Sequence, residues 1–431
     1  MKRLIIRKAK RLQGELGAPG DKSVSHRSVM ISSIAQGQTR VRNFLKGDDC
    51  LRTIDAFRNM GIDIKENADR TLTIIGKGLR GLTKPGKALY LGNSGTSMRL
   101  IMGILAGQDF QATLTGDESL SQRPMKRVTA PLRQMGAAIE GKDDANFAPL
   151  VITGSRLKAI DYKLPMASAQ VKSAIILAGL YADGVTTISE PSKSRDHTER
   201  MLKLFGADID VEGLTVRVHP GRVFKGADIF VPGDISSAAF FIAAGLIVKD
   251  SNLVIKDVGL NPTRTGILEI LKNMGSDIKI QNLKNKEFEP YGDLVITPGK
   301  LKATKIQGEL LPKAIDEFPI IMVLACFADG ITQIRGASEL RVKETDRIDS
   351  MVTNLSKMGA KIRVEGDDVF IEGPAKLNSA KVNSFKDHRT AMALAIAGLT
   401  CYGETIIEDT ECIETSFPSF EEDLRKIAIF E

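Results

Sequence analysis

Tryptophan is absent from the 431 residues, and Phe, Tyr and Trp together make up 5%. So sparse an aromatic set argues against a base-stacking platform for nucleic acid. Cysteine is scarce too. Cys50, Cys326, Cys401 and Cys412 show no CxxC and no Cys/His spacing. That argues against structural zinc and suits a reduced, cytosolic chain. The longest apolar run, residues 318–328, is 11 residues, short of the roughly 18 of a membrane span. The start, MKRLIIRKAKRL, is basic, but its apolar stretch is too short for a secretion signal. GxxxxGK[ST] does not occur, and no GxGxxG follows a strand and opens a helix, so no nucleotide cofactor is expected. What the chain does have is 42% hydrophobic and 26% charged residues, ordinary for a globular protein with large cores. Its length suggests two or three domains. A net charge of +7 favours anionic partners, nucleic acid or small phosphorylated molecules, and composition does not choose between them.

One pattern recurs six times: an apolar helix, a turn, a β-branched strand, then a second helix. The first helices read KSVSHRSVMISSIAQG, SGTSMRLIMGILAG, SAQVKSAIILAGLYADG, ISSAAFFIAAGLIVKD, AIDEFPIIMVLACFADG and HRTAMALAIAGLTCYG. The strands that follow, such as TRVRNF, TTISE and ETIIED, are rich in β-branched residues. Five second helices end at Gly61, Gly136, Gly206, Gly275 and Gly359, each placed for a left-handed helix cap. The sixth ends differently, at LRKIAIFE. Each unit is α/β, and three could close around one core. The strongest sign of two similar halves is PGDKSVSHRS at Pro19 against PGDISSAAFF at Pro232. The expected organisation is a first domain over residues 20–232 and a second from 1–19 with 233–431. A single large α/β domain is the other organisation compatible with the pattern.

The helix starts carry an oddity. A helix N-terminus is partially positive and favours carboxylates. Here Lys22 and Arg27 fall in the first turns of the first unit, with Arg123 near the second helix of the second unit. Arg195, the pair Lys343 and Arg347, and Arg389 occupy similar places further on. Each such placement is mildly unfavourable, about 0.3–1 kcal/mol, unless an anion joins it. Singly, these are ordinary surface cations. Together, from both halves, they point to a cleft between two domains that binds phosphate or carboxylate groups. GDKS, GNSGT and ASAQ flank them, either as common helix caps or as close backbone approaches to a ligand.

Two carboxylates stand out. Asp316 sits at the mouth of the most apolar helix, and Glu344 lies between Lys343 and Arg347. Either is a candidate base. The plainer alternatives are a helix cap for Asp316 and a solvated ion pair for Glu344 with Arg347. His388 is a plausible donor to a ligand, and His26 reads as structural.

GDKSVSHR, LGNSGTSMR, QRPMKR, SAQVKSA, IDEFPI, RVKETDR, DHRTAMA and SFPSF occur in this order. The series resembles the 3-phosphoshikimate 1-carboxyvinyltransferase (EPSP synthase) family from residue 14 to about 424. The resemblance implies an enolpyruvyl transferase-like α/β fold of two similar domains, each of three βαβαββ units, joined by a double crossover. It implies transfer of the enolpyruvyl group of phosphoenolpyruvate to the 5-hydroxyl of shikimate 3-phosphate, releasing phosphate, in chorismate and aromatic amino-acid biosynthesis. By the same resemblance, Lys22, Ser23, Arg27, Ser168, Ala169, Gln170, Arg195, Asp316 and Lys343 would line shikimate 3-phosphate. Lys22, Gly95, Arg123, Gln170, Arg347 and Arg389 would hold phosphoenolpyruvate. Asp316 would be the base near the 5-hydroxyl, and Lys22 and Glu344 would serve the methylene proton and the leaving phosphate. No metal or organic cofactor is implied, and a cytoplasmic monomer is expected, with no nucleic-acid or membrane partner.

Two positions depart from many members. Ala169 stands where they carry a second Ser, and Thr415 where they have Lys before the Phe417-Pro418 stretch. Both resemble the second class of the family. The herbicide glyphosate competes at the phosphoenolpyruvate site in this family. Gly95 leaves room for it, while Ala169 and Thr415 pull the other way. The rival readings are the sister transferase acting on UDP-N-acetylglucosamine and a basic nucleic-acid-binding repeat protein. Against the first, GDESLSQ before Arg123 holds no cysteine. Against the second stand few aromatics and scattered charge.

Overall fold

Helices made mostly of small and apolar residues can bury every face, because few of their side chains must reach water. That is how the six apolar helices are used. From Val24 on, all of Lys22–Ile34 is buried, as are all residues of Phe318–Ala325 and His388–Gly398. The other three, Gly95–Ala106, Ala169–Gly179 and Ile235–Ile247, are nearly as enclosed. A Cβ on Gly103 would stand 2.2 Å from the Ala174 carbonyl oxygen, so two of these helices meet backbone to backbone where only glycine fits.

The computed structural model describes residues 2–285 and 288–431. The chain forms two compact units, Gly20–Val231 and Met1–Pro19 with Pro232–Glu431. Among the described residues, each contains three of the buried helices and three sheets. The regular sheet is seen in Asp161–Lys163, which runs parallel to Thr186–Ser189. That strand is antiparallel to Thr215–Val218, which forms a hairpin with Ile209–Glu212. Leu89–Tyr90, Gln111–Thr115, Phe147–Thr153 and Ala138–Gly141 repeat the arrangement. So do Lys305–Ile306, Gly330–Ile334, Asp368–Gly373 and Lys361–Glu365. With the intervening helices, each is the βαβαββ unit expected.

Two leading strands are exchanged. Ala9–Gly17 precedes the Lys22 helix but pairs in parallel with Asn252–Gly259. Asp228–Phe230 precedes the Ile235 helix but pairs in parallel with Gln36–Arg42. The sixth sheet is completed by the chain's beginning, as Arg3–Arg7 lies antiparallel to Glu404–Glu408. The closing residues Ala428–Phe430 pair with Ala9–Gly17, which is why the sixth repeat ends unlike the others.

The second helices are amphipathic. In Asp48–Asn59 the buried Cys50, Thr53, Ile54 and Phe57 fall on one face at helical spacing. The glycines after five of these helices have φ between 82° and 98°, the left-handed cap their sequence positions suggested. In the unit holding both termini, Phe417 and Phe420 stack edge-on at 5.6 Å beside Phe240 and Phe241, anchoring the last helix to the core. Among the described residues no helix is long and apolar enough to cross a membrane.

Candidate active site

The expected conflict between cations and helix starts is relieved just ahead of the first helical turn. Carboxylates and hydroxyls do occupy these ends, at the cap position. Asp21 Oδ1 accepts from the Val24 amide at 2.9 Å, and Ser94 Oγ from the Ser97 amide at 3.1 Å. Ser168 caps Ala169–Gly179 by accepting from the Val171 amide. Asp346 and Asp387 each accept from two amides of the helices they open. Each cap is worth about 1 kcal/mol. The cations therefore sit beside helix starts already satisfied in part by their own chain. Arg195 does not open its helix, which begins at His197 with Asp196 at the cap position.

In the Gly20–Val231 unit, Lys22 is the first helical residue and its Nζ lies 2.6 Å from Asp49 Oδ2. Arg27 is 3% exposed. Its Nε donates to Thr198 Oγ1 at 2.7 Å, and its two Nη groups to Ser23 O at 3.0 Å and Ser173 Oγ at 3.1 Å. His26, the next residue inward, is wholly buried against Thr53, with Nδ1 to Oγ1 at 2.8 Å. Burial, then the charges of Lys22 and Arg27, hold its imidazole well below the usual histidine range. That fits a structural role.

Gly95 begins Gly95–Ala106, and two guanidinium groups converge on it. A Cβ there would meet Arg99 Nη1 at 2.8 Å and Arg123 Nη1 at 3.4 Å. Arg99 Nη1 donates to Gln170 Oε1 at 2.5 Å, and Gln170 Nε2 donates to Thr96 Oγ1 at 3.0 Å. Arg123 donates to Asn93 Oδ1, while Asn93 Nδ2 donates to Asp117 Oδ2 at 2.8 Å. Arg99 thus links Gly95 to Gln170, and Arg123 approaches Gly95 independently, held by Asn93. Sequence reasoning passed Arg99 over, although it lies one turn from Gly95 in the quoted LGNSGTSMR.

In the other unit the cations are held by carboxylates. Arg347 is 1% exposed and opens Arg347–Lys357. Its Nε donates to Asp387 Oδ2 at 2.9 Å, Nη2 to Glu344 Oε2 at 2.6 Å, and Nη1 to Asp316 Oδ1 at 3.4 Å. Arg389 Nη1 donates to the Asp316 carbonyl at 3.1 Å, and its Nε is 3.7 Å from Asp316 Oδ1. Burial first, then the three carboxylates, determine the Arg347 pKa, and the carboxylates prevail to raise it. Lys343 is half-buried. Burial lowers its ammonium pKa, Arg347 adds to that, and Asp316 and Glu344 oppose it. The plainer alternatives from sequence do not hold here. Glu317, not Asp316, is the cap residue of Phe318–Ala325, and it makes no side-chain cap bond. The Glu344–Arg347 pair is not a solvated one. His388 is 5% exposed, with Nδ1 3.5 Å from Thr415 Oγ1.

Each cluster is therefore an array of Arg and Lys groups held in place by their own chain near helix N-termini, suited to anionic oxygens. The sequence matches the EPSP synthase (3-phosphoshikimate 1-carboxyvinyltransferase) family over residues 6–424. The chain belongs to the EPSP synthase family. A 3-phosphoshikimate 1-carboxyvinyltransferase of Bacillus velezensis is 53% identical over 418 residues, covering 97% of each chain. One from Citrifermentans bemidjiense is 52% identical over 97% of this chain and 98% of its own. The solved EPSP synthase of Acinetobacter baumannii is 46% identical with a TM-score of 0.89, covering 99% of this chain and 98% of that one. The enolpyruvyl transferase NikO of Streptomyces tendae, 18% identical with a TM-score of 0.79 over 99% of this chain, shares the fold alone. The two-domain enolpyruvyl transferase fold expected from the sequence is the one observed. Neither rival reading is favoured by these relatives.

Proposed function

We propose that this chain transfers the enolpyruvyl group of phosphoenolpyruvate to the 5-hydroxyl of shikimate 3-phosphate, releasing phosphate. The step would serve chorismate and aromatic amino-acid biosynthesis in the cytoplasm. The protein would act as a monomer, with no cofactor, nucleic-acid or membrane partner. The observation that carries the reading is the family match over residues 6–424, with every quoted motif present in order.

The two clusters are read as halves of one site, in a cleft between a domain of residues 20–232 and a domain of 1–19 with 233–431. Lys22, Ser23, Arg27, Ser168, Ala169, Gln170 and Arg195 from one half, and Asp316 and Lys343 from the other, bind shikimate 3-phosphate. Lys22, Gly95, Arg123, Gln170, Arg347 and Arg389 bind phosphoenolpyruvate. Asp316 accepts the proton of the 5-hydroxyl as its oxygen bonds to C2 of phosphoenolpyruvate, and a proton from Lys22 or Glu344 adds to C3. The tetrahedral adduct then loses one proton from C3, returned to Lys22 or Glu344, together with its phosphate, restoring the double bond. The two substrates bring phosphate and carboxylate charges together and charge develops on the departing phosphate, and cations fixed beforehand stabilise these anions without reorganising. The tethering of Arg347 to three carboxylates is the kind of preorganisation this needs.

The test is phosphate release from phosphoenolpyruvate with the purified protein, with and without shikimate 3-phosphate. Release that requires shikimate 3-phosphate supports the reading. Release that instead requires UDP-N-acetylglucosamine, or no release at all, contradicts it.

A further inference from the structure

Lys172 lies two residues beyond Gln170 on Ala169–Gly179, and its side chain is 0% exposed. Its Nζ is 2.9 Å from Glu190 Oε1 and 2.8 Å from Glu199 Oε1, whose side chains are 1% and 3% exposed. Three charges are thus removed from water together, an arrangement that does little for stability compared with apolar packing of the same volume. Burial pulls the Lys172 pKa down, and the two carboxylates more than offset it.

What the cluster does is hold one short segment. The second oxygen of Glu190 accepts from the Ser194 amide at 3.1 Å and from the Ser194 hydroxyl. Lys172 Nζ reaches the Ser194 carbonyl at 3.5 Å. Ser194 is therefore gripped at its amide, its hydroxyl and its carbonyl. Four residues on, Thr198 is gripped as well. It accepts from Arg27 Nε at 2.7 Å and donates to Ser173 Oγ at 2.7 Å. Ser173 follows Lys172, and Thr198 precedes Glu199, so the two grips share the same pair of helices. Arg195 lies between them.

We infer that Lys172, Glu190 and Glu199 form a positioning device that fixes the backbone of Arg195 for the phosphorylated substrate. This rests on the function proposed above, in which Arg195 binds shikimate 3-phosphate. Lys172 is too deeply buried to touch that ligand, so it acts through Arg195. A small displacement of a binding group is enough to change turnover markedly.

The experiment is steady-state kinetics of Glu190→Gln, Arg195→Ala and the double variant, on the full chain. Glu190→Gln should raise KM for shikimate 3-phosphate about tenfold and leave KM for phosphoenolpyruvate within about twofold. In the Arg195→Ala background the same change should move KM for shikimate 3-phosphate by less than about twofold, because the group it positions is gone. An equal effect in both backgrounds overturns the inference. So does a parallel loss in both KM values and kcat, which marks a merely structural role. Should Glu190→Gln fail to fold, Ser194→Ala, which removes one donor to Glu190, carries the same cycle with an expected shift of about threefold. A wild type inactive with shikimate 3-phosphate defeats the functional reading itself. An active wild type whose Glu190→Gln variant keeps its KM defeats this inference alone.

Discussion

Arg347 and Asp387 form an ion pair closed to solvent, with Nε 2.9 Å from Oδ2 and side chains 1% and 0% exposed. The other oxygen of Asp387 caps His388–Gly398, accepting from the Arg389 amide at 2.7 Å. One carboxylate thus ties the start of Arg347–Lys357 to the helix that carries Arg389. Both arginines then reach Asp316. The charge on Asp387 fixes a cation and a helix start together.

Asp387→Ala leaves a buried guanidinium with less compensation and removes a cap. The loss should be about 3–5 kcal/mol of unfolding free energy, with a raised KM for phosphoenolpyruvate in whatever protein folds. Denaturant unfolding reads the first. A loss below about 1 kcal/mol would show that Glu344 and Asp316 suffice to hold Arg347.

Lys22→Met should reduce kcat at least a hundredfold, since a charge-assisted contact worth about 3 kcal/mol is lost. Because Lys22 is paired to Asp49, which is 7% exposed, the variant should also be slightly less stable. Adding Asp49→Asn should restore the melting temperature without restoring turnover. Turnover recovered by the second change would mean Lys22 serves only to neutralise Asp49.

The fold's repeat was legible because each unit signals itself with an apolar helix and a glycine stop. The exchange of Ala9–Gly17 with Asp228–Phe230 was harder to read, because a strand's partner is not encoded beside it. PGDK and PGDI mark the crossings, and they do not say which sheet each preceding strand joins. The same limit applies at the site. Lys22, Arg27 and Arg347 were visible as misplaced cations. Their holders Asp49, Thr198 and Asp387 lie 27 to 171 residues away, where no local pattern points to them. Arg99 was missed for a different reason: it reads as an ordinary solvated residue within an apolar helix.

Asp316→Asn keeps the shape of the side chain and its hydrogen bond from Arg347, and removes its basicity. Turnover should fall by about 10²–10⁴ while shikimate 3-phosphate still binds. Calorimetric titration with that ligand, beside kcat, separates the two. An unchanged kcat with raised KM would make Asp316 a binding group.

Gly95→Ala places a methyl group 2.8 Å from Arg99 Nη1, too close to remain. Arg99 is flexible at its far end, so the fold survives, but its hydrogen bond to Gln170 should be disturbed. Inhibition by glyphosate, competitive with phosphoenolpyruvate in the wild type, should weaken about tenfold or more, a methyl clash being worth about 1–3 kcal/mol. Equal inhibition constants for the two proteins would show that position 95 does not shape the site.

His26 is held neutral by burial and by two nearby cations, with a folded pKa well below 6.5. The folded state therefore binds fewer protons than the unfolded state once pH drops below about 6.5. The stability from this group is present above that value and is lost as pH falls toward the folded pKa. The loss should run at up to about 1.4 kcal/mol per pH unit. His26→Gln should flatten the pH dependence below 6.5 by about one proton. Identical slopes would show that His26 protonates normally in the fold.

The central claim is the enolpyruvyl transfer itself. Phosphorus NMR of the protein with phosphoenolpyruvate and shikimate 3-phosphate follows every phosphorylated species at once. The account predicts that the phosphoenolpyruvate signal disappears as inorganic phosphate and a new carboxyvinyl ether, still carrying the 3-phosphate, appear in equal amounts. Phosphate accumulating while the shikimate 3-phosphate signal stays constant, or no change in either substrate, would contradict it.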